Sequence, residues 1–136
     1  MKTTTLIVKL LTLTIISYIL FSCDKAPKKL DPYLIKVDSI HFPGIISSNI
    51  PFEIEFFGKI AGDGCHIFEE FNQSLVNKDI NIEAWGNYLE YTGVCPTVEV
   101  YLTGHTLTVT LPSSGIYNIK IKQPDNSFLA RQITVN

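Results

Sequence analysis

The sequence predicts an all-β chain that folds as a single antiparallel sandwich of about seven to eight short strands. Apolar and polar residues alternate with a period of two through most of residues 35–135, as expected of strands that bury one face and expose the other. Turn-forming segments such as Pro43-Gly44 and 124–127 separate these runs. No run of helical period is long enough to supply the crossovers of a parallel sheet, so antiparallel pairing is expected.

The individual strands follow from this alternation and from the turns between them. In the second of them, Phe52, Ile54 and Phe56 are predicted to face the core. Residues 72–79 are polar and are predicted to form a loop. The predicted strands cover residues 35–42, 52–56, 65–71, 80–85, 97–102, 106–111, 117–122 and 128–135.

A short motif between the sixth and seventh predicted strands refines the fold. Residues 111–117 read Leu-Pro-Ser-Ser-Gly-Ile-Tyr, which resembles the Leu-Pro-x-x-Gly-x-Tyr corner of immunoglobulin-like and fibronectin-type bacterial modules. The resemblance implies an immunoglobulin-like β-sandwich in which the Tyr117 hydroxyl caps a loop carbonyl. It covers seven of 136 residues, and it therefore bears on architecture and not on activity.

The N-terminus has the features of an export signal. Lys2 and Lys9 carry the only charges before Cys23, and 12 uncharged residues separate Lys9 from Ser22. This run is shorter than the roughly 20 residues of a membrane-spanning helix and fits a signal peptide. The Leu-Phe-Ser-Cys sequence ending at Cys23 resembles a bacterial lipoprotein signal peptide, which implies that Cys23 is acylated. An ordinary cleaved signal and a retained short anchor are the alternatives.

Three segments are therefore predicted: a lipoprotein signal peptide over 1–22, a flexible tether over 23–33 and the β-sandwich over 34–136. Removal of the leader changes the net charge from −2 to −4, and such a chain is not expected to bind nucleic acid. The Ser-Cys-Asp-Lys cleavage region resembles that of small lipoproteins of Bacteroidota. This resemblance implies anchoring to the outer membrane of the cell envelope, with the lipid bilayer as a partner through Cys23 and the side of the membrane open.

Cys65 and Cys95 remain once Cys23 is assigned to the lipid. A disulfide is the expected state of such a pair in an exported chain. The alternative is a zinc site completed by His66 and His105, but these spacings do not match the paired motifs of structural zinc. No metal and no cofactor are predicted.

The sequence contains no recognisable catalytic motif. No serine has the glycine-flanked setting of a hydrolase nucleophile, and the histidines are scattered. The chain is therefore predicted not to be an enzyme. The tripeptide Asp38-Ser39-Ile40 resembles the O-glycosylation acceptor used by Bacteroidota, which implies that Ser39 carries a glycan.

Aromatic residues are the feature that points to binding. Trp85, Tyr88, Tyr91 and Tyr101 are predicted to form an exposed surface that contacts a glycan or an envelope protein. Alternatively, Trp85 turns inward at a bulge near Gly86 and packs on the disulfide. The predicted function is a non-enzymatic binding or accessory module. The alternative is an inhibitor or immunity-type lipoprotein that blocks a protease or lysozyme with the loop from Glu90 to Thr97.

Overall fold

Strict alternation produces the longest strand of the molecule. Over Asp79–Glu90, Ile80, Ile82 and Ala84 are at most 1% exposed, whereas the intervening Asn81 and Glu83 are half-buried. A strand places successive side chains on opposite faces, so this segment contributes one apolar face to the core and one polar face to the surface.

The computed structural model describes residues 28–90 and 93–136. These residues form ten strands, and they include no helix that is long and apolar enough to cross a membrane. The strands are β1 (Lys28–Leu34), β2 (Ser39–His41), β3 (Phe52–Phe57), β4 (Lys59–Ala61), β5 (His66–Val76), β6 (Asp79–Glu90), β7 (Val100–Tyr101), β8 (Thr106–Val109), β9 (Gly115–Lys122) and β10 (Phe128–Val135).

The larger sheet has five strands, with β6 at its centre. β5 pairs with residues 79–88 along one edge of β6. The other edge is shared, because β9 pairs with residues 79–82 and β1 pairs with residues 85–90. β10 extends the sheet beyond β9. The two neighbours β1 and β9 therefore lie end to end along β6.

The remaining strands run side by side in two smaller sheets. β3 lies between β2 and β8 in a three-stranded sheet. β4 follows β3 after Gly58 and pairs with β7. The Gly58 carbonyl accepts a hydrogen bond from the Leu102 amide at 2.9 Å, and the Phe56 amide donates to the His105 carbonyl at 3.2 Å. These two bonds connect the β3–β8 pairing to the β4–β7 pairing.

Inward-facing residues from both groups of strands form a single hydrophobic core. Ile54 and Phe56 of β3 belong to the same buried cluster as Ile82 of β6 and Ile121 of β9. At one end, the buried Tyr117 donates from its hydroxyl to the Ser113 carbonyl at 2.9 Å, which is the contact that the corner motif predicts. The Lys78 ammonium donates to the same hydroxyl at 3.0 Å and lies over the ring at 4.1 Å.

The all-β prediction is confirmed, but the strand count and the pairing differ from it. Ten strands replace the predicted seven to eight, because β1 lies largely within the predicted tether and β4 forms a separate short strand after Gly58. β6 and β9 pair in parallel, whereas only antiparallel pairing was predicted. The chain between them passes through β7 and β8 in the smaller sheets, so it needs no helical crossover.

Two predicted irregular segments are strands. β1 begins at Lys28, inside the predicted 23–33 tether, so ordered pairing starts before residue 34. β5 continues to Val76 through the predicted loop 72–79 and ends at a tight turn where Asn77 has a φ of 57°. Residues 72–77 are polar or exposed because they belong to an edge strand and its turn, so they lack the alternation of a strand buried on one face.

Candidate functional site

The cysteine pair anchors one end of the molecule. Cys65 and Cys95 form a disulfide with a Cα–Cα distance of 5.4 Å, which confirms the predicted bridge. Asp63 lies within 4.8 Å of both sulfurs, but sulfurs bonded to each other cannot serve as thiolate ligands. His66 is engaged with Asp63, at 2.8 Å from Nδ1 to the carboxylate. The zinc alternative is therefore wrong.

A tyrosine packs tightly against His66, the residue that follows Cys65. The Tyr33 ring contacts the His66 ring at a centroid distance of 5.4 Å and lies against Gly86, where an added Cβ would be 2.7 Å from Tyr33 Cζ. The Tyr33 hydroxyl is buried without a hydrogen-bond partner among the described residues. Burial, reinforced by the Asp63 charge, raises the pKa of Tyr33 to about 12.

The predicted aromatic residues do not share one surface. Trp85 is on the outer face of β6, since the buried Ala84 and Gly86 flank it. Tyr88 lies three positions further along, on the opposite face, where its ring contacts His66 at 5.1 Å and its hydroxyl lies 3.7 Å from Cys95 Sγ. Trp85 has therefore not turned inward, and Tyr88 is the ring beside the disulfide.

Two other predicted site residues, Tyr101 and Ser39, lie on strands of the smaller sheets. Tyr101 is 48% exposed on β7, and its hydroxyl donates to Glu99. Tyr91 and Cys23 lie outside the described residues. Ser39 is exposed at the start of β2.

Polar side chains surround Trp85 on the outer face of the larger sheet. Two shallow depressions adjoin there, with volumes of about 360 Å³ and about 270 Å³, and Asn72 lines both. We call them together the outer-face groove. Its lining residues are Pro32, Glu69, Glu70, Asn72, Gln73, Ser74, Asn81, Glu83, Trp85 and Asn87.

Cross-strand register brings these residues together. Glu70 of β5 pairs with Trp85, Asn72 pairs with Glu83, and Ser74 pairs with Asn81. Directly opposed residues of an antiparallel pair project from the same face. The groove therefore combines alternate positions of β5 with alternate positions of β6.

Glu83 fixes the centre of the groove. One of its carboxylate oxygens accepts a hydrogen bond from Trp85 Nε1 at 3.0 Å, and the other pairs with the Lys122 ammonium at 2.9 Å. Lys122 and Trp85 together hold the pKa of Glu83 below its usual range. The carboxylate therefore stays ionised at neutral pH and keeps both partners in place.

A second ion pair lies further along the same face. Asp79 pairs with the Lys120 ammonium at 2.6 Å and accepts from Asn118 Nδ2 at 2.9 Å. These contacts hold the pKa of Asp79 below its usual range. Gln132 of β10 donates to Asn118 at 3.3 Å, so polar contacts run across β6, β9 and β10.

Several amides of the groove have unused hydrogen-bonding capacity. The side chains of Asn81 and Asn87 make no hydrogen bond to the other residues described in the structure, and Asn72 donates only to Glu70 at 3.3 Å. Trp85 was predicted from the sequence as a binding residue, but its polar neighbours were not. The alternation of Asn81, Glu83 and Asn87 with buried residues can be read from the sequence. Which residues of β5 lie beside them is determined by the register between the two strands.

Comparisons with protein-family models, with curated proteins and with solved structures found no match to this chain. The geometry of the groove and the chemistry of its side chains are therefore the basis for assigning a function.

Proposed function

We propose that this protein is a non-enzymatic, glycan-binding module of the bacterial cell envelope. The observation that carries the proposal is the outer-face groove, in which Trp85 lies among amide and carboxylate side chains on one sheet surface. A pyranose ring has apolar C–H faces and a rim of hydroxyl groups. The indole of Trp85 can pack against a C–H face of the sugar. The amides and carboxylates can form hydrogen bonds with its hydroxyl groups, because together they offer both donors and acceptors.

The size of the groove fits an extended ligand. Asn81 to Asn87 spans about 20 Å along β6 at ~3.4 Å per residue. The groove is shallow and follows the flat face of a sheet, so a linear oligosaccharide can lie across it. Its polar lining favours a glycan over an envelope protein, because the centres of protein interfaces are depleted of charged residues.

The groove is ordered before a ligand arrives. Glu83 holds the indole of Trp85 through its Nε1 at 3.0 Å, and pairing with β5 and β1 holds the backbone of β6 on both edges. A side chain that is already immobilised loses little conformational entropy on binding. This supports a binding role for Trp85.

The proposal includes an immunoglobulin-like sandwich for the fold. Two features support it: one core cluster includes residues from the larger and the smaller sheets, and the Tyr117 hydroxyl donates to the Ser113 carbonyl, as in a tyrosine corner. A crystal structure in which the apolar faces of β3 and β6 do not face each other would contradict this architecture.

The proposal also includes an acyl anchor on Cys23 and residence at the outer membrane. The support is the signal-peptide resemblance described above. Growth with an alkyne-tagged fatty acid is expected to label the wild-type protein and not a Cys23→Ser variant. A wild-type protein that stays unlabelled would contradict the acyl anchor.

Intact-mass measurement of the same sample tests whether the exposed Ser39 carries an O-linked glycan.

Binding can be followed by tryptophan fluorescence, because Trp85 is the only tryptophan in the chain and all of that signal comes from the groove. Glycans identified on an array are titrated against the full chain in detergent, and the intrinsic fluorescence of Trp85 is followed. We expect saturable changes with at least one glycan. In calorimetry, Trp85→Ala is expected to weaken that binding by about tenfold, because truncating a central aromatic contact typically costs more than ~1 kcal/mol of binding free energy.

The matched control is Tyr101→Ala, which removes an exposed ring from the β4–β7 sheet. This variant is expected to bind the glycan as the wild type does. Equal loss in both variants would show that the effect is not specific to the groove. A folded protein that binds no glycan on the array would refute the proposed function.

A second function, inhibition of a hydrolase, is favoured by one specific observation. Val94 is 95% exposed beside Cys95, which the disulfide ties to Cys65. The Gly64 amide also donates to the Pro96 carbonyl at 2.8 Å, so this end of the loop is anchored twice. A constrained, exposed aliphatic side chain suits insertion into an enzyme pocket.

Titration of secreted proteases and lysozymes with the full chain tests this second function. We expect a stoichiometric loss of activity of the target enzyme, and we expect Val94→Asp to abolish it while glycan binding is retained. Undiminished activity of all the enzymes at stoichiometric amounts of protein would exclude inhibition.

A further inference from the structure

We infer that a second copy of this chain docks on the outer edge of β5, so that the larger sheets of two copies join through antiparallel β5–β5 pairing. β5 pairs with β6 along one edge, and no other described strand pairs with its opposite edge. We call residues 70–76 of that edge the open segment. Its register with β6 is continuous from Glu70 to Val76. A row of unpaired backbone donors and acceptors is a template for another strand.

The other outer strands carry features that prevent such pairing. β1 contains Pro32 and a register shift. β10 has Arg131 opposite the buried Ile119, which places a charged residue on its core-facing side. β2, β4, β7 and β8 have at most four residues each. Natural sheets use these same features against edge pairing. Residues 71–76 have none of them, and they contain no charge, no proline and no glycine.

The open segment lies far from the point at which the described chain begins. Lys28 lies opposite Glu90, whereas Gln73 lies opposite Ile82. Eight residues of β6 therefore separate the two positions, or about 27 Å at ~3.4 Å per residue. In the proposed acylated chain, residues 23–27 precede Lys28 and reach about 18 Å at most. The chain before β1 is therefore too short to cover Gln73.

Backbone geometry determines which residues pair across the two copies. In an antiparallel pair, every second residue directs its amide and carbonyl away from the partner strand. Counted back from the two-residue turn at 77–78 that ends β5, these residues are Phe71, Gln73 and Leu75. A two-fold axis at Gln73 pairs this residue with the partner's Gln73, and it pairs Phe71 with the partner's Leu75. This register gives about six backbone hydrogen bonds, two for each such pair.

The side chains of this register are complementary. Phe71, Gln73 and Leu75 lie opposite buried residues of β6, so they share the core-facing side of the sheet. Leu75 is 42% exposed, and pairing covers it with the partner's Phe71, a favourable cross-strand contact. Glu70 lies opposite the partner's Val76, so this register opposes no two like charges within the open segment. Two-fold pairing uses the edge of both copies, and assembly therefore stops at a dimer.

The pairing also joins the outer-face grooves of the two copies. Asn72 and Ser74 line the groove and lie on the outer face of the open segment. In this register Asn72 lies opposite the partner's Ser74, so the two grooves meet at the axis. The docking itself depends on the strand edge and not on glycan binding, and its test uses no glycan.

Sedimentation of the full chain in detergent, over a wide range of protein concentration, tests the docking. We expect a reversible equilibrium between monomer and dimer. Gln73→Lys places two ammonium groups opposite each other at the axis. We expect this variant to dimerise about tenfold more weakly or worse, because directly opposed like charges destabilise strand pairing. Gln73 is exposed, so the variant is expected to retain the fold.

The matched control makes the same change on the edge of β10. Gln132 is also an exposed glutamine, and Gln132→Lys is expected to dimerise as the wild type does. Cross-linking locates the axis in a second way. Residues of a hydrogen-bonded pair have Cα atoms about 5.5 Å apart, within the range of a disulfide. Mild oxidation is therefore expected to cross-link Gln73→Cys into a covalent dimer and to leave Gln132→Cys monomeric in denaturing gels.

Each contrary outcome overturns the docking. A full chain that stays monomeric at every concentration does so, and equal dimerisation of Gln73→Lys and Gln132→Lys does so as well. A dimer in which Gln73→Cys fails to cross-link would place the contact on another surface. Dimerisation of a chain that starts at Lys28, but not of the full chain, would show that preceding residues cover the edge. Glycan binding is measured separately on the array, and none of these outcomes bears on it.

Discussion

The Tyr33 hydroxyl stands out among the described side chains in its burial and in its raised pKa. Its hydroxyl is buried with no partner among the described residues, and burial raises its pKa to about 12. An unsatisfied buried hydroxyl costs free energy in the folded state. The aromatic ring, in contrast, packs well, because it covers Gly86 and contacts His66.

We therefore predict that Tyr33→Phe increases the free energy of unfolding at pH 7 by about 1 kcal/mol. The folded-state pKa lies above the ordinary value near 10, so the wild type loses stability as the pH rises from about 10 towards 12. The variant is expected to lose less over that range. Thermal unfolding of the wild type and the variant at pH 7, 10 and 11 measures both effects. A less stable variant at pH 7 would mean that the hydroxyl has a partner.

Within the outer-face groove, Glu83 acts as a positioning residue for Trp85. We predict that Glu83→Ala frees the indole, lowers the fluorescence anisotropy of Trp85 and weakens glycan binding by about tenfold, the equivalent of one charge-assisted hydrogen bond. Glu83→Gln retains an acceptor for Nε1 and is expected to stay close to the wild type in both measurements.

The control for Glu83 is Asp79→Ala, which breaks the other ion pair of the same face and leaves the Trp85 contact untouched. We expect its Trp85 anisotropy to match that of the wild type. An anisotropy that does not respond to Glu83→Ala would show that the ring is held by other contacts.

At the scale of the elements, two of the three strands that pair with β6 contain a bulge. β1 shifts register between Leu30 and Pro32, and β5 shifts between Phe68 and Glu70. These irregularities flank Gly86, where an added Cβ would lie 2.8 Å from the Ile67 carbonyl and 2.7 Å from Tyr33 Cζ. Three strands therefore meet at a position with no room for a side chain.

We predict that Gly86→Ala lowers the free energy of unfolding by about 2 kcal/mol, as expected for an overpacked site. Gly44→Ala is the matched control, since an added Cβ there meets nothing within 4 Å, and it is expected to be neutral. Chemical denaturation of both variants measures the difference. Equal stability of the two would mean that the strands separate easily at this point.

The elements also show what the sequence could and could not predict. The core faces of β3, β6 and β9 followed from local alternation, because each of these strands buries one face. β1 did not, since its polar, proline-containing sequence pairs through backbone bonds with a distant strand. Trp85 was identified by its type, whereas the ion pair between its partner Glu83 and Lys122 depends on a parallel pairing that no local pattern encodes. Tyr88 was assigned to a loop, but β6 continues through it and turns the ring inward.

At the scale of the whole molecule, the folded unit includes residues before the predicted boundary at 34. We predict that a chain starting at Lys28 is more stable by several kcal/mol than one starting at Ile35, because the shorter chain exposes the β1 edge of β6 and uncovers Gly86. Urea denaturation of the two truncated chains measures this difference. Identical midpoints would show that β1 contributes nothing to the fold.

If Cys23 is acylated as proposed, the early start of β1 also limits how far the folded domain can lie from the membrane. Only residues 24–27 separate Cys23 from Lys28, so an acylated Cys23 would allow a leash of at most about 18 Å at ~3.6 Å per residue. Lys28 lies opposite Glu90, at the disulfide end of the larger sheet. With the proposed anchor, that end would be held near the lipid headgroups, and a sugar bound at Trp85 would lie within a few nanometres of the bilayer.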